Sequence, residues 1–147
     1  MKRASIIKFK ETQVFLFQST STMMEGGGIN TEPYIKLEAS VSKEDLHKSL
    51  ITVLDASKMG VPKPKDFEKS LKQYINAIGL EAHEDLYKDS FCVSVVDRNE
   101  TSSFLPSRNE GIKGGFVILQ ADKIEIPEKS NTDEVVHALI KAIEKCK

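Results

Sequence analysis

Residues 91–97, Phe-Cys-Val-Ser-Val-Val-Asp, are the segment of the sequence that says most about the architecture. Side chains alternate along a strand, so Phe91, Val93 and Val95 share one face while the neighbouring residues share the other. Cys92 and Val96 keep that second face largely apolar as well. A strand that is apolar on both sides is typical of a central position covered twice. We therefore predict a sheet built around this strand, with helices packed against it.

Further short strands are predicted on both sides of this segment. Downstream, a polar Ser-Arg segment (102–111) leads to strands at 116–119 and at Ile124/Ile126. Upstream, residues 19–28 are polar and rich in glycine, without periodicity, and predict a loop. Three upstream stretches that are rich in β-branched, aromatic or alternating apolar residues predict strands, namely 4–10, 13–18 and 34–39.

Three helices are predicted from apolar residues that recur every three to four positions. The first follows Ser42, a good N-cap, and ends at Gly60 and Pro62. The second runs from Pro64 to Gly79, and the third from about Thr132 to Cys146, with Ser130, Asn131 or Thr132 as its cap. Each large apolar side chain stabilises the fold by about 1.5–3 kcal/mol when buried, so the helices must pack on the sheet.

The expected fold is α/β (α+β). We predict one domain, residues 1–147, with a central, mostly antiparallel or mixed sheet of about five to six strands and about three helices.

Composition narrows the class of protein. Hydrophobic residues make up 39% and charged residues 29%, which is typical of a folded, soluble protein. The net charge of −1 argues against nucleic-acid binding, which usually requires a basic excess. The two cysteines form no disulfide framework, and the chain has neither a signal-like N-terminus nor an apolar run long enough to cross a membrane. We expect a cytoplasmic protein without membrane contact.

Three sequence features invite a catalytic or ligand-binding interpretation, and a simpler explanation is favoured for each. Gly26-Gly27-Gly28 lacks the strand, lysine and helix of a phosphate-binding loop, so a flexible connector is predicted. His83-Glu84 begins like a zinc-protease motif, but Tyr87 occupies the position of the second histidine. Cys92 is predicted to be a core residue rather than a nucleophile. No catalytic residue, metal ligand, cofactor or small-molecule substrate is therefore predicted.

Two short segments each place an arginine near a carboxylate, at loops or strand ends. They are Asp97-Arg98-Asn99-Glu100 and Ser107-Arg108-Asn109-Glu110. One interpretation is a pair of solvated turns. The other is a polar recognition surface, because arginine makes directional, charge-assisted hydrogen bonds to carboxylates and carbonyls.

The order of these features resembles the immunity proteins of contact-dependent growth inhibition, the CdiI type. The resemblance covers residues 34–146 and includes the extended segment leading to Ser-Lys-Glu-Asp-Leu and its helix. In the C-terminal half it lies in Asp85–Lys88, Phe91–Val96, Ser103–Asn109, Ile124–Pro127 and Thr132–Cys146. The sequence departs from the family at Gly114-Gly115-Phe116, because family members carry an aromatic residue soon after the Ser-Arg segment.

The resemblance implies a protein without catalysis of its own. Such a protein binds the C-terminal toxin domain, often a nuclease, of a cognate large secreted effector and so protects the producing cell. The residues expected to contact the toxin are Arg98, Glu100, Phe104, Arg108 and Glu110.

Two other functions remain open from the sequence. A small nuclease or hydrolase would use His83, Glu84 and Asp85. A general interaction module or nucleic-acid binder would use the lysines in the region of the second helix, namely Lys63, Lys65, Lys69 and Lys72.

Overall fold

The segment 91–97 lies at the centre of the sheet, as predicted. The computed structural model describes all residues from Met1 to Lys147. Its 8-stranded sheet has the order β3-β2-β1-β5-β6-β7, with β4 beside β2 and β8 beside β6. The strands are β1 (Lys2–Phe9), β2 (Phe15–Met23), β3 (Gly28–Leu37), β4 (Met59–Val61), β5 (Ser90–Arg98), β6 (Thr101–Asn109), β7 (Phe116–Ile118) and β8 (Ile124–Pro127).

Nearly all strand pairs are antiparallel. The exception is the short parallel pair of β2 and β4. Strand β1 pairs with both β2 and β5, so Ile6 lies opposite Phe17 on one side and Val93 on the other. Strands β5 and β6 form a hairpin whose turn residues, Asn99 and Glu100, have φ of 53° and 65°. Such two-residue turns match the twist of the strands that they join.

Four helices accompany the sheet: α1 (Lys43–Asp55), α2 (Phe67–Ala77), the short α3 (Gly111–Gly114) and α4 (Thr132–Lys145). The Ser42 side chain caps α1 by accepting a hydrogen bond from the Asp45 amide. Asn131, one of three predicted alternatives, caps α4. The predicted start of the second helix at Pro64 is wrong by three residues, because Asp66 caps the Lys69 amide and the helix begins at Phe67.

The helices cover the two faces of the sheet unequally. Helices α1 and α4 pack on one face and form a core cluster of 18 buried residues with it, including Ile6, Phe17 and Val93. On the other face, α2 and a 3₁₀ turn at His83–Tyr87 form a cluster of only 6 buried residues, namely Ile7, Leu16, Ile75, Ile78, Leu86 and Cys92. The single-domain α+β class is confirmed, with more strands than expected.

One strand was not predicted and another is longer than predicted, because both contain polar residues that do not indicate a strand. The Ser-Arg segment is mostly strand β6, in which Ser102, Phe104 and Pro106 alternate toward the α4 side of the sheet. Two of its hydroxyls have partners within the chain, since Ser102 donates to Asp97 and Ser107 donates to the Cys92 carbonyl at 2.6 Å. The predicted loop at 19–28 is similarly shortened, because β2 continues to Met23 and β3 begins at Gly28.

Phe104 is a core residue rather than a surface anchor. Its side chain is 1% exposed and belongs to the larger cluster under α4, which corrects the expectation that it contacts a toxin. The reason is alternation along β6, which turns Phe104 to the same face as Ser102 and away from solvent.

We predict that Phe104→Ala lowers the free energy of unfolding by about 3–5 kcal/mol, because truncation leaves a cavity in a close-packed core. Chemical denaturation measures this. The matched control is Phe67→Ala on α2, whose side chain is 52% exposed and which should change stability by less than about 1 kcal/mol. Equal losses in the two variants would contradict the assignment.

Candidate partner-binding surface

The predicted contact residues divide into two separate groups. Arg98 ends β5 and Glu100 lies in the following turn, whereas Arg108 and Glu110 lie at the far end of β6. Thr101, the strand partner of Arg98, is seven residues from Arg108, which corresponds to about 23 Å along the strand. Alternation also places Arg98 and Arg108 on opposite faces of the sheet. The structure therefore does not bring the two groups together.

Arg108 and Glu110 bind each other. The Arg108 Nε and Nη2 atoms both lie 2.9 Å from Glu110 Oε2, and the two side chains are 49% and 40% exposed. Asn109 fixes the backbone between them by donating to the carbonyls of Tyr87 and Ser90. An exposed pair of this kind contributes only about 0–1 kcal/mol to stability. Its charges are largely matched within the chain.

A broader candidate for partner binding is the part of the second sheet face that α2 does not cover. Cross-strand pairing places Arg3 opposite Thr20 and Val96, and Ser94 opposite Leu105. Val96 and Leu105 are only partly buried and belong to neither hydrophobic cluster. We call this region the open face; it consists of Arg3, Thr20, Thr22, Ser94, Val96, Arg98, Thr101, Ser103 and Leu105.

Arg3 is a residue of this surface that the sequence pattern did not indicate, because the first strand was predicted to begin at residue 4, whereas β1 begins at Lys2. Its Nη1 atom lies 3.3 Å from the Thr22 hydroxyl, and none of the ion pairs of the chain includes Arg3. Gly28 leaves room for the guanidinium, since a Cβ there would lie 2.9 Å from Nη2. Alternation from Ile7 through Ser5 could have placed Arg3 on this face.

A pocket of about 470 Å³ lies between α2 and β3, next to the open face. Its lining is largely aromatic and aliphatic and includes Tyr34, Phe67, Leu71, Tyr74, His83 and Tyr87. The Tyr74 hydroxyl donates to Gln18 Oε1 at 2.7 Å and accepts from Asn30 at 3.4 Å. Burial raises the pKa of Tyr74, although these hydrogen bonds act in the opposite direction. The pocket wall is thus held by a buried polar network.

An acidic group lies at the end of the sheet that carries Arg98. Burial is the main cause that raises the pKa of Asp97, and the nearby carboxylates of Glu128 and Asp55 raise it further. The hydrogen bond from Ser102 to Asp97, at 2.5 Å, and the charge of Lys2 act in the opposite direction. Lys2 forms an ion pair with Asp55 at 2.6 Å.

The residues considered for catalysis are placed as follows. Burial raises the pKa of Cys92 to about 12, so the reactive thiolate is scarce at neutral pH. His83 packs edge-on against Tyr87, with ring centroids 5.5 Å apart, while the Asp85 carboxylate accepts from the Ala82 amide. No group of three or more His, Cys, Asp or Glu residues could hold a metal ion. None of the helices is both long enough and apolar enough to span a membrane.

The sequence matches no protein-family model and no curated protein. The fold is similar to solved structures that include a protein of unknown function from Neisseria meningitidis, with a TM-score of 0.78, 17% identity, and coverage of 99% of this chain and 95% of that one. A chain of a CdiA-CT/CdiI toxin and immunity complex from Yersinia pseudotuberculosis matches with a TM-score of 0.77, 16% identity, and coverage of 99% and 97%. At these identities the likeness establishes a shared fold.

We predict that Tyr74→Phe lowers the free energy of unfolding by about 1–3 kcal/mol, because it leaves Gln18 Oε1 buried without a donor. Tyr87→Phe is the matched control, since the Tyr87 hydroxyl makes no hydrogen bond within the chain. Thermal or chemical denaturation of both variants measures the difference. A Tyr74→Phe protein as stable as the control would rule out an energetic role for the network.

The raised pKa of Asp97 predicts a pH-dependent effect of Asp97→Asn. A carboxyl whose pKa is higher in the folded state favours folding below its unfolded-state pKa, and this contribution is lost as pH rises through the folded-state pKa. The free energy of unfolding of the Asn variant, relative to that of the unmodified chain, should therefore increase as pH rises from 3 to 7. A difference between the two proteins that is constant with pH would contradict the prediction.

Proposed function

We propose that this chain is an immunity protein that binds and neutralises the toxin domain of a cognate contact-dependent growth inhibition effector, acting in the cytoplasm of the producing cell. The observation that carries the proposal is the fold, which matches a chain of a toxin and immunity complex over nearly the whole length of both chains. The sequence resemblance, found from residues 34–146, supports the same assignment.

The open face is the surface that we propose for the toxin. It lies opposite the face that packs against α1 and α4, so a partner can bind there without rearrangement of the larger core cluster. Arg98 and Glu100 border it at the β5–β6 turn. Arginine is enriched among the residues that dominate binding energy at interfaces.

We propose that Arg108 and Glu110 lie outside this interface. They occupy the other face and the other end of β6, and their charges are paired with each other. A single toxin domain centred on the open face would have to extend around the edge of the sheet to reach them.

The protein is proposed to act by binding alone, and two features favour a protein as the partner over a nucleic acid. The net charge is −1. The lysines near α2 are partly neutralised, since Lys72 lies 3.9 Å from Glu68 and Lys63 lies 3.8 Å from Glu25. A basic surface that would attract a phosphate backbone is therefore weakened.

We predict that the chain co-purifies in a one-to-one complex with the C-terminal domain of the protein encoded immediately upstream, and that its expression abolishes growth inhibition by that domain. Arg98→Glu should weaken the complex at least tenfold, which equals about 1.4 kcal/mol. Isothermal titration calorimetry and a growth assay measure the two effects.

The matched control is Lys141→Glu, an equal reversal of charge on the outer surface of α4, where Lys141 lies 3.6 Å from Glu144. This variant should bind the toxin like the unmodified chain. Absence of any complex with the upstream domain, or full toxicity despite expression of the chain, would refute the proposed function.

A further inference from the structure

The open face carries two arginines that lack acidic partners. Arg3 lies opposite Val96, and Arg98 follows two residues later on the same face of β5. Such diagonal neighbours in adjacent strands have their Cβ atoms about 7–8 Å apart. Neither residue belongs to any ion pair of the chain, whereas the third arginine, Arg108, is paired with Glu110.

Arg3 is held in place although its charge is unmatched. Its guanidinium is partly buried, and its one hydrogen bond within the chain is to the Thr22 hydroxyl at 3.3 Å. A guanidinium carries five N–H donors, so most of them remain available. Gly28 provides the space that the group occupies, and the hydrogen bond to Thr22 places it on the open face.

The surroundings of the arginine pair contain neutral acceptors and two carboxylates, those of Glu100 in the β5–β6 turn and Glu125 on β8, and neither forms an ion pair with Arg3 or Arg98. Thr22, Ser94 and Ser103 contribute neutral hydroxyls. The one carboxylate on the same face of neighbouring β8, that of Glu125, forms an ion pair with Lys123 at 3.0 Å. A carboxylate brought to Arg3 and Arg98 would form charge-assisted hydrogen bonds without displacing an existing partner.

We propose that Arg3 and Arg98 together bind an acidic segment of a partner protein, with two carboxylates spaced to meet the two guanidinium groups. The inference rests on the proposed function in that the occupant is a protein. It goes further by assigning Arg3 to the interface and by specifying the charge of the surface that the partner presents.

The small extent of the positive charge favours a short acidic segment over a nucleic acid. The open face carries two arginines without acidic partners, and the net charge of the chain is −1. A nucleic-acid backbone is bound through many phosphate contacts and a basic excess. Two carboxylates on a short protein segment match two guanidinium groups.

The side-chain Nε signals of the three arginines test this inference by nuclear magnetic resonance on the full chain. The probe is an N-acetylated, C-amidated Glu-Gly-Glu peptide, and Gln substitutions at each position assign the signals. We expect saturable shifts of the Arg3 and Arg98 signals, with Arg108 unmoved as the internal control. Arg3→Gln should weaken the response at Arg98 at least threefold.

Three results would overturn the inference: no shift of Arg3 and Arg98 at millimolar peptide, an equal shift of Arg108, or a response to a thymidine dodecamer at lower concentrations than to the peptide. The outcome is separable from that of the proposed function. If a toxin complex forms but the peptide titration fails, only the proposal of an acidic segment is rejected. A successful titration without any toxin complex rejects only the immunity role.

Discussion

The apolar core beneath α1 and α4, on one face of the sheet, holds the structure together. Strand β1 pairs with both β2 and β5, and the side chains that these strands send to one side meet α1 and α4 in the larger cluster. Burial of that many apolar side chains dominates the stability of a chain of this length. The second face therefore needs only partial coverage. Helix α2 and the 3₁₀ turn cover no more than one half of it.

The features predicted correctly from sequence are those with one strong physical cause. Segment 91–97 is apolar on both faces because it crosses both clusters, and the caps Ser42 and Asn131 mark helix starts through hydrogen bonds to free amides. Strand β6 was harder to predict, because its serines and arginine leave it with few of the β-branched and aromatic residues typical of a strand. Ser107, for example, donates to the Cys92 carbonyl, a partner 15 residues away that no local pattern reveals.

The candidate surface was predictable only in part for the same reason. Arg98 was found because it adjoins a turn, where binding groups are common. Phe104 was misassigned because a hydrophobic residue in a polar segment gives no sign of which face it occupies until the strand register is known. Arg3 was missed because its importance lies in what surrounds it: a glycine on β3, a threonine on β2 and the absence of an ion pair.

The charge arrangement at the β5–β6 end of the sheet links this architecture to recognition. Alternation sends Asp97 to the α-helical side and Arg98 to the open face, so one strand end presents opposite charges in opposite directions. The acids on the helical side are held near Lys2, whereas the two arginines on the open side form no ion pair within the chain. Electrostatic complementarity mainly governs association rate and the exclusion of wrong partners. A partner with a basic surface would be repelled from the open face, and one that presents carboxylates would be drawn to the side where the sheet is uncovered.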